Sequence, residues 1–212
     1  MITGARAVRA LVVCALLAGS ASVESARAQD PRLAARLDKT TLTAVTAVID
    51  SARAAKLPTA PLVDKALEGA ARGSEGARIV NAVHQLSVRM ATSRGVLGAS
   101  ASSDEIKSAA AALDAGVGER DLARVHAACG KRPVTMSLAV LTDLIGRSVP
   151  IPTATNVVLQ LARSGARDAD LALFQRNVRA DIDRGADPGV AATTRARGLV
   201  VRTTAAPPKP SE

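Results

Sequence analysis

The sequence predicts an all-α fold: an irregular stack of short antiparallel helical hairpins, about eight or nine helices in all, arranged as a bundle or a short solenoid-like array. Three observations carry this. Apolar residues recur at spacings of three and four in segment after segment, and the segments end at glycine or proline. Phe174 is the only aromatic residue, and alternating β-branched and aromatic runs are missing, so strands have little to be built from. Alanine is abundant instead; it has the best helix propensity, and its small side chain lets helices approach closely.

Residues 1–28 stand apart from this pattern. Arg6 and Arg9 precede an apolar run from Ala10 to Gly19, and small and polar residues then lead to Ala26-Arg27-Ala28. A positive start, a short apolar middle and an A-x-A site are the parts of a secretory signal peptide, cleaved after Ala28. The run falls short of the roughly 20 apolar residues that span a bilayer, and no second run is long enough, so no transmembrane segment is expected after cleavage. Cys14 lies inside the run behind the bulky Val13, which argues against a lipidation site. The expected product is exported, periplasmic or extracellular. It keeps one cysteine, Cys129, which cannot close an intramolecular disulfide and reads as a small buried apolar residue near a helix end.

A lead-in segment, 29–37, precedes a helical domain spanning 38–199. Asp38 can cap a helix carrying Leu42, Val45, Val48, Ile49 and Ala52, which stops before Leu57-Pro58. Thr59 caps the next, with Pro61 in its first turn and Leu62, Val63, Ala66, Leu67 and Ala70 on its face; Gly73 ends it. Ser74 opens a longer helix in which Ile79, Val83, Leu86, Met90 and Leu97 trace one stripe, with Arg94 at its edge. The segment 98–103, GASASS, is the most linker-like stretch of the interior and a possible subdomain break. Ser102 with Glu105 forms a capping box for a helix that stops at Gly116. Asp121, Leu122, Val125 and Ala128 belong to a short helix closed by Gly130 and Pro133.

Val134–Gly165 is the expected centre of the core. Leu138, Leu141, Leu144 and Ile145 share one helical face, Thr135 stands at the N-cap, and Gly146 with Pro150 and Pro152 forbids continuation past Arg147. A second helix restarts at Thr153; its Val157, Val158, Leu159 and Leu161 point almost all round, which requires cover on several sides. So short a connection makes the pair antiparallel neighbours. Asp168 then caps a helix with Leu171, Phe174, Val178 and Ile182 on one stripe, Gly185 ends it, and Asp187-Pro188 starts the last. Residues 200–212 read as a disordered, basic, Pro-rich tail. The glycines at 116, 130, 146, 165 and 185 lie 14, 16, 19 and 20 residues apart. Doubled, these intervals approach the roughly 34 to 47 residues of helix-pair repeats, but they drift and the aromatic positions of tetratricopeptide repeats are empty, so no named family follows.

The formal charge is +9. Residues 1–28 hold Arg6, Arg9 and Arg27 against Glu24, a net of +2, which leaves +7 on the expected product. Most bases alternate with acids, as on a solvated helix face. Only the tail departs: Arg195, Arg197, Arg202 and Lys209 meet no acid before Glu212, and these four are the candidate contacts to an anionic surface. Export argues against a nucleic-acid partner, and the shortage of aromatics removes base stacking.

No chemistry-bearing motif emerges. His84 and His126 lie on separate helices without clustered carboxylates, which is weak ground for zinc. Asp181, Asp183, Gly185 and Asp187 resemble a calcium loop in spacing, yet the fifth position is Gly185, the sixth Ala186 and the twelfth Ala192, where an EF-hand needs an oxygen ligand, glycine and glutamate. A G-x-S-x-G elbow is absent, and Cys129 has no evident base beside it. The reading is therefore a non-enzymatic helical binding or scaffold module for protein or peptide partners, with no cofactor and no metal. The alternative is a cationic envelope-associated protein that holds anionic polymer or lipid through its C-terminal tail. An enzyme without a recognisable motif comes third.

Overall fold

The computed structural model describes residues 30–205, and every regular element among them is helical. Ten helices follow one another: α1 (Pro31–Ala34), α2 (Lys39–Ala54), α3 (Ala60–Ala71), α4 (Gly76–Leu97), α5 (Ser103–Asp114), α6 (Glu119–Cys129), α7 (Thr135–Gly146), α8 (Ile151–Arg163), α9 (Asp168–Asp183) and α10 (Pro188–Ala205). The lead-in therefore holds one turn of helix, α1, where Pro31 is tolerated at the start because its missing N–H has no intrahelical partner there. The last helix does not end at residue 199: residues 200–205, assigned to the tail from composition, continue α10. The expected signal peptide (1–28), Gln29 and residues 206–212 lie outside the described residues. None of the described helices is long and apolar enough to cross a membrane.

Several helix starts follow directly from the sequence. Asp38 accepts hydrogen bonds from the backbone N–H groups of Thr40 and Thr41, both at 3.0 Å, and from the Thr41 hydroxyl at 2.6 Å. Ser102 Oγ accepts from the Glu105 N–H at 3.2 Å while the Glu105 carboxylate accepts from the Ser102 N–H at 3.0 Å, a complete capping box. Asp187 accepts from the Val190 N–H at 2.9 Å.

Others differ. Thr135 is the first residue of α7 rather than its cap, and the orphan N–H of Val134 donates to Glu105 Oε1 at 3.2 Å, so one carboxylate serves the starts of α5 and α7. Asp168 is likewise inside α9; Arg167 precedes the helix and donates its N–H to Asp170. Thr59 precedes α3 but makes no side-chain cap. Glu75, one residue after Ser74, precedes α4. Helix α8 begins at Ile151, two residues before Thr153, and takes Pro152 into its first turn.

The ends share one device. After α2, α5, α7 and α8, a residue of positive φ reverses the chain. The next N–H then reaches back to the helix: Leu57 to the Ala52 carbonyl at 2.9 Å, Val117 to Ala112 at 3.0 Å, Val149 to Leu144 at 3.0 Å and Ala166 to Leu161 at 3.2 Å. This is the Schellman arrangement, and each of those four apolar residues is buried against the core. Gly116 and Gly165 supply the turn after α5 and α8, but Lys56 (φ 56°) and Ser148 (φ 66°) supply it after α2 and α7. Gly146, which the sequence marks as the breaker, is the last residue of α7 itself.

Helices α2 and α4 run parallel. Their starts meet so closely that a Cβ on Gly76 would lie 2.0 Å from Thr41 Oγ1. Near their ends, Arg94 donates to the Ala55 and Lys56 carbonyls at 3.2 and 2.5 Å and so closes α2. Helix α3 packs on α4, and α4 on α5. Beyond α5, α7 packs against both α5 and α9, and α8 against both α6 and α10, while α7 touches α8 and α9 touches α10. Val157, Val158, Leu159 and Leu161 are all buried because α8 has α6, α7 and α10 around it. Two apolar clusters result. One gathers Val45, Leu62, Val83 and Met90; the other gathers Leu122, Leu138, Leu141, Leu161 and Phe174. Helix α5 contributes to both, with Ile106 and Ala110 in the first and Ala109 and Ala112 in the second.

Candidate functional site

The four tail cations do not form a patch in the described residues. Lys209 lies outside them. Arg195 donates to Asp181 with both Nε (2.5 Å) and Nη2 (2.8 Å), a bidentate fork that ties α10 to α9. At about 100° per helical residue, Arg202 falls within about 20° of Arg195, but Arg197 falls about 200° away, on the opposite side of α10. Arg197 and Arg202 are exposed.

The same contact engages one acid of the calcium-like loop. Arg195 and Arg184 occupy the carboxylate of Asp181, and the hydrogen bond from Arg195 is the main reason its pKa is lowered to about 2. Asp183 pairs with Arg179 at 3.8 Å, and Asp187 is spent on its helix cap. These acids hold cations and backbone of their own chain. His84 is exposed on α4 and His126 half-buried on α6, and no group of three metal-binding side chains occurs among the described residues. Cys129 is buried at the end of α6, its Sγ 3.5 Å from Ser137 Oγ.

A groove of about 460 Å³ lies between α3, α4 and α5. Helix α4 packs on both neighbours and forms the floor, with Ala82, Gln85, Leu86 and Arg89; α3 and α5 form the walls. Small side chains on α5, Ala110 and Ala111, keep one wall low, and Pro61 begins the other. Each wall carries both signs of charge: Asp64, Lys65 and Glu68 on α3, Lys107 and Asp114 on α5.

Much of that charge is already paired. Glu68 accepts from Lys65 at 3.1 Å and from Arg72 at 2.6 Å, and the Lys65 hydrogen bond is foremost in holding its carboxyl below the usual range. Arg89 reaches across from α4 to Asp114 at 2.9 Å. A smaller cavity of about 170 Å³ prolongs the groove between α3 and α4, sharing Lys65, Glu68 and Ala82 and adding Arg72 and Arg78.

Two other hollows are somewhat larger. One of about 550 Å³, between α1, α2 and α3, is lined by Asp30 and Arg32, paired at 2.8 Å, and by Asp50 and Arg53, also paired. One of about 510 Å³ lies along α2 and α4 and is lined without Asp, Glu, Lys or Arg, from Thr40 and Ala44 to Val80 and His84. The groove residues escaped sequence reasoning because Arg89 and Asp114 are 25 positions apart on different helices, and only tertiary packing brings them together.

In comparisons with known proteins, no family model matches this chain, and neither a curated protein nor a solved structure shows significant similarity to it.

Proposed function

We propose that this chain is an exported, non-enzymatic helical module that holds a peptide segment of a partner protein in the groove between α3, α4 and α5. The observation that carries this is the build of the groove: an apolar strip of Ala82, Leu86, Ala110 and Ala111 flanked by walls of mixed charge. Such a surface offers apolar contact along its length and both hydrogen-bond donors and acceptors at its rims, which is how peptide-binding grooves divide affinity from specificity. The packing of α5, α7 and α9 in one row and α6, α8 and α10 in another supports reading these helices as hairpins in a short array.

The cationic-anchor alternative loses support from Arg195, whose guanidinium is committed to Asp181, and from the placement of Arg197 on the other side of α10.

The test is a photo-crosslinking residue at Gln85 on the groove floor, with a second probe at Arg202. A discrete protein adduct at Gln85 is expected. It should persist at high salt and in a chain carrying Arg197→Ala and Arg202→Ala, and disappear when Ala111→Trp fills the groove. Adducts confined to Arg202, lost at high salt because exposed charges are screened within about 8 Å, would replace this reading with the anchor.

A further inference from the structure

Four large apolar side chains are exposed among the described residues: Val88 (50%), Leu173 (37%), Val190 (62%) and Val201 (65%). Single exposed apolar residues are ordinary, but three of these four belong to α9 and α10, each opposite the buried side of its own helix. On α10, Val190 and Val201 are eleven residues apart and fall within about 20° of each other round the helix, with Arg197 between them. The buried residues Ala191, Ala192, Ala196 and Leu199 occupy the other side, toward α8. On α9, Leu173 likewise lies well away from the buried Leu171, Phe174 and Val178.

In a stack where each helix packs on its second neighbour, the outward side of the last two helices is where the next layer would sit. Terminal units of such stacks present a polar outer surface, because nothing covers them. Here the outer side of α10 carries Val190 and Val201 among Thr194, Arg197 and Thr204, and that of α9 carries Leu173 and Arg176. Arg197 and Arg176 are exposed and make no ion pair among the described residues, whereas the neighbouring acids Asp181, Asp183 and Asp187 are engaged elsewhere. A second copy meeting this face symmetrically would bring like charges together, which opposes association.

We infer that the outer face of α9 and α10 docks an acidic amphipathic helix of a partner protein, whose apolar stripe covers Leu173, Val190 and Val201 and whose carboxylates meet Arg176 and Arg197. This site is separate from the α3–α5 groove, and neither proposal depends on the other.

The test uses a labelled 18-residue amphipathic peptide with leucines on one helical face and glutamates flanking them, and a twin with lysines in place of the glutamates. Fluorescence anisotropy with the purified protein should give saturable binding of the glutamate peptide, at least tenfold tighter than the lysine peptide. The double change Val190→Ser and Val201→Ser should weaken it at least tenfold with an unchanged melting midpoint, since both positions are exposed. Arg197→Glu should shift preference toward the lysine peptide. Equal binding of the two peptides, or full affinity in the Val190→Ser, Val201→Ser protein, would overturn the inference. So would sedimentation showing self-association that those two changes abolish, which would give the face to a second copy.

Discussion

Two substitutions two residues apart locate the end of α7. Ser148 sits at φ 66°, exposed, with the buried Val149 following it. A left-handed conformation costs an L-residue about 1–2 kcal/mol. Glycine removes that cost but adds about 0.4–1 kcal/mol of unfolded-chain entropy to be lost on folding. Ser148→Gly should therefore stabilise by about 0.5–1 kcal/mol, the difference between those terms. Gly146 is helical, and a Cβ placed on it would meet nothing within 4 Å. Gly146→Ala should add about 0.5–1 kcal/mol through helix propensity. Together they amount to about 1–2 kcal/mol, or a rise of about 2–8 °C in midpoint for a chain of this size.

Urea unfolding followed by circular dichroism, with thermal melts alongside, measures both. Gly165→Ala is the control of opposite sign: it forces a side chain into φ 79° with open space around it, so the expected loss of about 1–2 kcal/mol is backbone strain alone. If Gly146→Ala lowers the midpoint while Ser148→Gly leaves it unmoved, the chain turns at Gly146 and the reasoning fails.

Two further expectations concern the core and the pH response. Leu141→Ala empties a fully buried site and should cost about 2–5 kcal/mol in chemical unfolding, whereas Arg163→Ala, at an exposed position, should change little; equal effects would remove Val134–Gly165 from the centre of the core. Asp181 has a folded pKa of about 2 against 3.8 for the free group, so its stabilising contribution is complete above about pH 4 and disappears as pH falls toward 2. Asp181→Asn should lower the melting midpoint at neutral pH and converge with the parent near pH 2. A difference that stays constant across that range would mean that the carboxylate charge is not what joins α9 to α10.

The parts of this fold legible in the sequence are those set within one turn of helix. Asp38, Ser102 with Glu105, and Asp187 cap as their types and spacing require, and of the stripe Ile79, Val83, Leu86, Met90 and Leu97 all are buried but Leu86, which is half-buried on the groove floor. The turns were half legible. Glycine is the visible marker of positive φ, so Gly116 and Gly165 could be read, whereas Lys56 and Ser148 adopt the same conformation under tertiary constraint and carry no such mark. Gly146 misleads for the complementary reason, since glycine permits a turn without demanding one. Contacts between distant segments were out of reach: Arg94 closing α2, Arg195 gripping Asp181, and the walls of the α3–α5 groove all arise from helices that the sequence can predict singly but cannot place. The exposed valines of α10 left a weak trace, an eleven-residue interval on a helix whose other apolar positions face inward.

Helix α5 has a consequence for how this chain could be divided. Ile106 and Ala110 complete the cluster formed by α2, α3 and α4, while Ala109 and Ala112, on the other side, complete the cluster beyond. Three of those four side chains are a single methyl, so the two clusters are separated by little more than one backbone. A fragment ending at Gly98 would expose the face of α4 that α5 covers, and a fragment beginning at Ser102 would carry α5 with half its buried surface open to water. The chain has a visible seam in its composition at residues 98–103, yet its two halves share a wall, and neither inherits it whole.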